Sequence, residues 1–125
     1  MDEQDPFTQA VIGAAIEVHR EIGPGLIESV YQKCLVHELG LRNIGCQPQA
    51  CLAIAYKGQV IHDDDLVMDI YFPGRLVVEL KAVEKLVPIH EAQLLTYLRL
   101  SRTHIGLLIN FNVRLLKDGI KRMAL

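Results

Sequence analysis

The apolar residues of this chain change period once, and that change limits the folds open to it. From the amino end, Phe7, Val11, Ala14, Ala15, Val18 and Ile22 step by three and four, the spacing of one helical face. Asp5-Pro6 supplies a start, with an acid to cap and a proline for the first turn, and Gly23-Pro24-Gly25 supplies a stop. A second helix is expected from about Leu26 to Leu41. Its inward positions are Ile27, Val30, Tyr31, Cys34, Leu35 and Leu39, and Asn43 and Gly45 close it. Beyond that point the pattern is that of strands.

Ala50 to Tyr56 reads as a strand, and Lys57-Gly58 as a tight turn into a second strand from Gln59. The run Asp63-Asp64-Asp65 interrupts or bends that strand, which resumes from Leu66 to Phe72. Pro73-Gly74 is another turn, followed by the strand Leu76 to Lys81. Pro88 opens a helix through about Arg102, with Ile89, Ala92, Leu94, Leu95 and Leu98 toward the core. Ile105 to Phe111 is a buried strand, and Val113–Leu116 with Ile120–Met123 forms an optional last hairpin around Lys117-Asp118-Gly119. The expected fold class is α/β, in the order ααβββαβ. A mixed, largely antiparallel sheet of four or five strands is flanked by helices on both faces. No repeat or linker divides the chain, so residues 1–125 read as one domain.

Composition excludes several function classes. With 50% hydrophobic residues the chain can bury a core, which disfavours disorder. It has no apolar run of about 18 residues, so no membrane span is expected. The acidic start Met1-Asp2-Glu3-Gln4-Asp5 lacks the basic and apolar regions of an export signal, so a cytoplasmic setting is expected. The three cysteines have no CxxC spacing, which argues against a disulfide framework or a zinc site. With 6% aromatic residues and no Trp, a stacking platform for single strands is disfavoured. Charge is asymmetric. Residues 1–74 carry four basic and eleven acidic residues, a balance of −7, and residues 75–125 carry nine and four, a balance of +5. Either the halves neutralise each other in the fold, or the second half meets an anionic partner. A mean hydropathy of +0.22 leaves room for a homodimer interface.

Chemistry concentrates at Asp69 and, ten residues on, Glu79-Leu80-Lys81. Glu79 and Lys81 share one face of a strand whose Leu76, Val78 and Leu80 point the other way. Charges on so apolar a strand are costly unless paired or used. A two-residue turn at Pro73-Gly74 would set Asp69 opposite Val78 and on the wrong face, so a three-residue loop or a bulge is expected there. Two adjacent carboxylates repel each other, and a hard cation such as Mg²⁺ (or Mn²⁺) relieves that repulsion. The Leu80 carbonyl is a further candidate ligand. Lys81 would orient or deprotonate an attacking water, or neutralise charge on a pentavalent phosphorus. An ion-paired acid cluster at a strand edge is the competing structural reading. Glu28 and Tyr31 share a helical face within Gly25-Leu26-Ile27-Glu28-Ser29-Val30-Tyr31, and Gln93 and Tyr97 share another within residues 90–97. His90, the group His104, Arg99 and Arg102, and the group Arg114, Lys117, Lys121 and Arg122 are candidates for phosphate contact. The run Asp63–Asp65 is open to three readings: a cation site, a barrier to DNA, or a solvated bulge.

The ordered motifs GLIESVY (25–31), Tyr56-Lys57-Gly58, Asp69, VVELKAV (77–83), HEAQLLTYL (90–98), GLLINF (106–111) and DGIKR (118–122) resemble the small GxxExxY proteins. That family is a branch of the PD-(D/E)XK nuclease-like superfamily. The resemblance implies a restriction-endonuclease-like fold and a divalent-metal-dependent nuclease acting on DNA more than RNA. It also allows a catalytically inactive module that binds nucleic acid or protein. By the same resemblance Asp69, Glu79 and Lys81 match the metal-and-catalysis triad. Glu28 matches the helix carboxylate that adds a metal ligand, and Gln93 matches the supporting glutamine. Tyr97, with Tyr31 and His90, is expected at the substrate. Met68 stands where the motif's proline would be.

Overall fold

Asp5 caps the first helix as its position suggests, accepting bonds from the Phe7 N–H at 3.2 Å and the Thr8 hydroxyl at 2.8 Å. The structure, a computed structural model, describes residues 5–125. The acidic start at residues 1–4, part of the export argument, lies outside them. Helix α1 (Pro6–Ile22) ends at Gly23, and α2 (Glu28–Leu41) follows. Helix α2 closes with Asn43 in the left-handed conformation (φ 59°) and the Ile44 N–H donating to the Leu39 carbonyl at 2.9 Å, a Schellman stop.

Five strands form one sheet in the spatial order β1-β2-β3-β4-β5. They are β1 (Gln47–Tyr56), β2 (Gln59–Phe72), β3 (Leu76–Lys81), β4 (Ile105–Asn110) and β5 (Ile120–Ala124), with helix α3 (Pro88–Ser101) crossing from β3 to β4. The β3–β4 pair is parallel and the other three pairs are antiparallel. This is the expected mixed sheet, with the optional fifth strand present. Helices α1 and α2 cover one face over Leu76, Val78, Leu80, Leu107 and Ile109. Helix α3 covers the other over Val77 and Leu108. Among the described residues no helix is long and apolar enough to cross a membrane.

Three local expectations change. Ile89 is 69% exposed and Ala92 is also exposed, while Tyr97 joins Leu94 and Leu98 in the core. With Pro88 in the first turn, the inward stripe falls at residues 94, 97 and 98. Residues 113–116 form no strand: the chain enters a 3₁₀ turn (Leu116–Gly119), and only β5 pairs with β4. The acidic run bends β2 without ending it. Residues 63–66 stand across from Leu52 alone, between the pairs Ala53↔His62 and Cys51↔Val67. This enlarged bulge carries a local turn in which the Asp65 N–H donates to Asp63 Oδ1 at 2.8 Å.

Candidate active site

The site follows from the length of one loop. β2 and β3 pair as Ile70↔Val78, Tyr71↔Val77 and Phe72↔Leu76, which leaves Pro73, Gly74 and Arg75 as a three-residue connection. Gly74 takes φ 72°, and the Arg75 N–H donates to the Phe72 carbonyl at 2.8 Å, the pattern of a type II turn after Pro73. The Arg75 guanidinium lies 3.6 Å from the centre of the Phe7 ring, so α1 holds the loop in place. Continued by one step, this register sets Asp69 opposite Glu79.

The ladder stops one pair short of them. Instead, the Asp69 N–H donates to Glu79 Oε2 at 2.9 Å and the Leu80 N–H donates to Asp69 Oδ2 at 2.8 Å. Each carboxylate therefore satisfies a backbone donor that the parted strands leave free. One oxygen of each is used in this way. The N–H and C=O of a strand residue point to the same side, so the Leu80 carbonyl also faces the opening beside Asp69. The Lys81 carbonyl points the opposite way and accepts from the Phe111 N–H at 2.8 Å.

Burial dominates the electrostatics. Glu79 is 4% exposed, and loss of solvent, with the Asp69 charge second, pushes its carboxyl up to about 8. Asp69 is also raised, again chiefly by burial, although the Leu80 N–H and Lys81 oppose the shift. Without a cation such a pair holds a proton near neutral pH.

Lys81 is placed by α3 and by β4. Its Nζ donates to Gln93 Oε1 at 3.4 Å, and Gln93 Nε2 donates to the Tyr97 hydroxyl at 3.2 Å. Burial, followed by the Glu79 charge, raises the Tyr97 phenol. The chain after Lys81 is clasped by Asn110, whose Oδ1 accepts from the Val83 N–H at 3.1 Å and whose Nδ2 donates to the Val83 carbonyl at 2.9 Å. Lys81, Gln93 and Tyr97 thus join the two carboxylates.

Glu28 is exposed at the start of α2, yet its charge reaches both carboxyls and helps to raise each. Tyr31 does not join the cluster, contrary to its expected place at the substrate. It is wholly buried and stacks on Phe111 at 4.4 Å. Its hydroxyl donates to the Gly23 carbonyl at 2.6 Å and accepts from the Leu26 N–H at 3.2 Å. Its i,i+3 relation to Glu28 reflects packing: Glu28 sits at the rim and Tyr31 pins the turn between the helices. His90 Nδ1 accepts from the Val87 N–H at 3.1 Å, and the His90 N–H donates to the Val87 carbonyl at 3.0 Å. That ring nitrogen serves the start of α3.

The sequence motifs omit Gln32 and Gln49, and Asn110, although it stands within GLLINF, carries no expected role. Gln49 Nε2 donates to Gln32 Oε1 at 2.7 Å, and the Gln49 side chain, across from Asp69, opposes the rise of its carboxyl. Gln32 was open to discovery as the i+4 neighbour of Glu28, and Asn110 as the one polar residue ending an apolar strand.

The donors at the opening are hard oxygens: two carboxylates and a backbone carbonyl. Among the described residues no three His, Cys, Asp or Glu side chains gather into a cage. This set fits a divalent cation of the Mg²⁺ type, which retains several waters, better than one needing an all-protein shell.

A family model described as the PD-(D/E)XK nuclease superfamily matches residues 5–123. No curated protein and no solved structure matches the chain.

Proposed function

The chain belongs to the PD-(D/E)XK nuclease superfamily, and from that premise we propose that it is a Mg²⁺- or Mn²⁺-dependent phosphodiesterase acting on DNA more than RNA. Membership implies a nucleic-acid substrate, and nucleases of this superfamily generally use divalent metals. The observation that carries the proposal is the pair of half-buried Asp69 and buried Glu79 where two strands part, Glu79 accepting from the Asp69 N–H and Asp69 from the Leu80 N–H.

Asp69, Glu79 and the Leu80 carbonyl would hold the cation, with Glu28 as the outer carboxylate. A bound divalent cation supplies charge to the phosphate and acidifies water at neutral pH. Lys81 presents its ammonium to the attacking water or to the developing phosphorane charge, and Gln93 steadies that ammonium. Tyr97, at the end of the same chain of bonds, and His90 would contact the substrate. Exposed Arg99, Arg102, Arg114 and Lys117 supply phosphate contacts outside the site. The motifs around Glu28, Glu79 and Gln93 support assignment to the GxxExxY branch, as one domain over 1–125. The free cysteines Cys34, Cys46 and Cys51 support a cytoplasmic setting. The exposed apolar side chains of the β1–β2 hairpin, such as Ile54, Tyr56 and Val60, leave a homodimer open to test.

Nicking of supercoiled plasmid and cleavage of RNA, with Mg²⁺ or Mn²⁺ and with chelator, test the proposal. Cleavage that needs the cation and is lost in Asp69→Ala and Glu79→Ala supports it. Salt-dependent binding with no cleavage identifies a non-catalytic module instead. Cleavage that persists in both variants overturns the site assignment.

A further inference from the structure

Gln49 lies within β1 with φ 51°, the left-handed conformation that residues bearing a Cβ rarely adopt. Its neighbours pair regularly, Pro48 with Ile70 and Ala50 with Met68, so Gln49 stands across from Asp69. β2 changes face at the same level. Met68 packs into the core under α3 and Ile70 into the core under α1 and α2, although simple alternation would put both on one side. The twist is therefore confined to the step that carries Gln49 and Asp69. Glycine would take this conformation without penalty, so a glutamine here points to use of its side chain.

That side chain is engaged in two directions. Its Nε2 donates to Gln32 Oε1 at 2.7 Å, and the carboxamide also acts on the Asp69 carboxylate, opposing the rise that burial gives it. Gln32 lies one helical turn beyond Glu28 on α2. The contact thus links the first-layer helix that presents Glu28 to the strand that presents Asp69.

We propose that Gln49 is a positioning residue: its carboxamide, braced by Gln32, fixes the orientation of the Asp69 carboxylate and the distance of the Glu28 helix from it. The purpose of that positioning rests on the reading of Asp69 as a cation ligand. Partners that orient a ligand without touching the metal commonly change metal affinity by about 10–100-fold when removed.

Gln49→Gly separates function from stability, because it relieves the backbone and deletes the carboxamide together. The melting temperature should stay level or rise. The Mn²⁺ dissociation constant should rise about tenfold, and kcat for plasmid nicking should fall with KM for DNA unchanged. Gln32→Ala should move affinity the same way by a smaller factor. A second measurement needs no cation: in chelator, NMR signals of the Gln49 carboxamide should be shifted from those of a free glutamine and should move in Asp69→Ala. Signals at free-glutamine positions, or wild-type Mn²⁺ affinity in Gln49→Gly, overturn the proposal. Wild type that binds no Mn²⁺ while the Gln49 signals still respond to Asp69→Ala overturns the cation reading and sustains Gln49 as the residue that positions Asp69.

Discussion

Asp69 and Glu79 are bonded crosswise: Glu79 accepts the Asp69 N–H at 2.9 Å, and Asp69 accepts the N–H of Leu80, the residue after Glu79, at 2.8 Å. The two carboxylates thereby serve as hydrogen-bond acceptors for strands that have stopped pairing. Fold and candidate chemistry share the same atoms, so changes at either residue register in both.

The first consequence is a pH dependence of stability. The Glu79 carboxyl stands at about 8 in the folded protein, against 4.5 for an ordinary glutamate. The folded state therefore binds a proton that the unfolded state releases. This contribution is fully present below about pH 4.5 and is lost as pH rises through about 8, at up to about 1.4 kcal/mol per pH unit. Urea unfolding in chelator should show stability falling across that window, and Mn²⁺ should restore it at the alkaline end. Glu79→Gln should flatten the dependence. A wild-type profile that is flat without cation would contradict the burial assigned to Glu79.

Lys81→Met should separate binding from chemistry. The ammonium opposes the raised carboxyls but bonds Gln93, so its removal should keep or tighten Mn²⁺ binding. Single-turnover cleavage should fall by about 100-fold or more. Equal loss of both in calorimetry and kinetics would make Lys81 a structural residue.

Tyr31→Phe should act on stability alone. It leaves the ring stacked on Phe111 but deletes the hydroxyl that bridges Gly23 and Leu26. A loss of about 1–2 kcal/mol in denaturant unfolding, with unchanged cleavage per folded molecule, is expected. Lower cleavage at unchanged stability would return Tyr31 to the site.

Gly106→Ala tests the seat of α3. An added Cβ would lie 2.8 Å from Leu94 Cδ1 and 3.0 Å from its Cγ. Displacing α3 should cost about 1–3 kcal/mol. Cleavage should fall as well, because Gln93 rides on that helix. Wild-type stability would mean that Leu94 yields freely.

The element order and the facing of Asp69 and Glu79 were legible because both follow from parity. Alternation fixes the faces, and an odd loop after Phe72 is needed to align the carboxylates. Less local features escaped. The pair Glu28 and Tyr31 looks like one functional face, but at the start of α2 one member meets solvent and the other the core. Ile89 looks inward by hydropathy, and the phase of α3 turns it outward. Gln49 left no trace in spacing, because its bonded partner Gln32 and the Asp69 it stands across from are distant in sequence.

The proposed function requires that the opening between Asp69 and Glu79 take a divalent cation. Anomalous diffraction from crystals soaked in Mn²⁺ tests it most directly. A peak is expected about 2 Å from carboxylate oxygens of both Asp69 and Glu79, with the Leu80 carbonyl as a further ligand. No peak there at saturating Mn²⁺, with the two carboxylates still bonded crosswise, would contradict it.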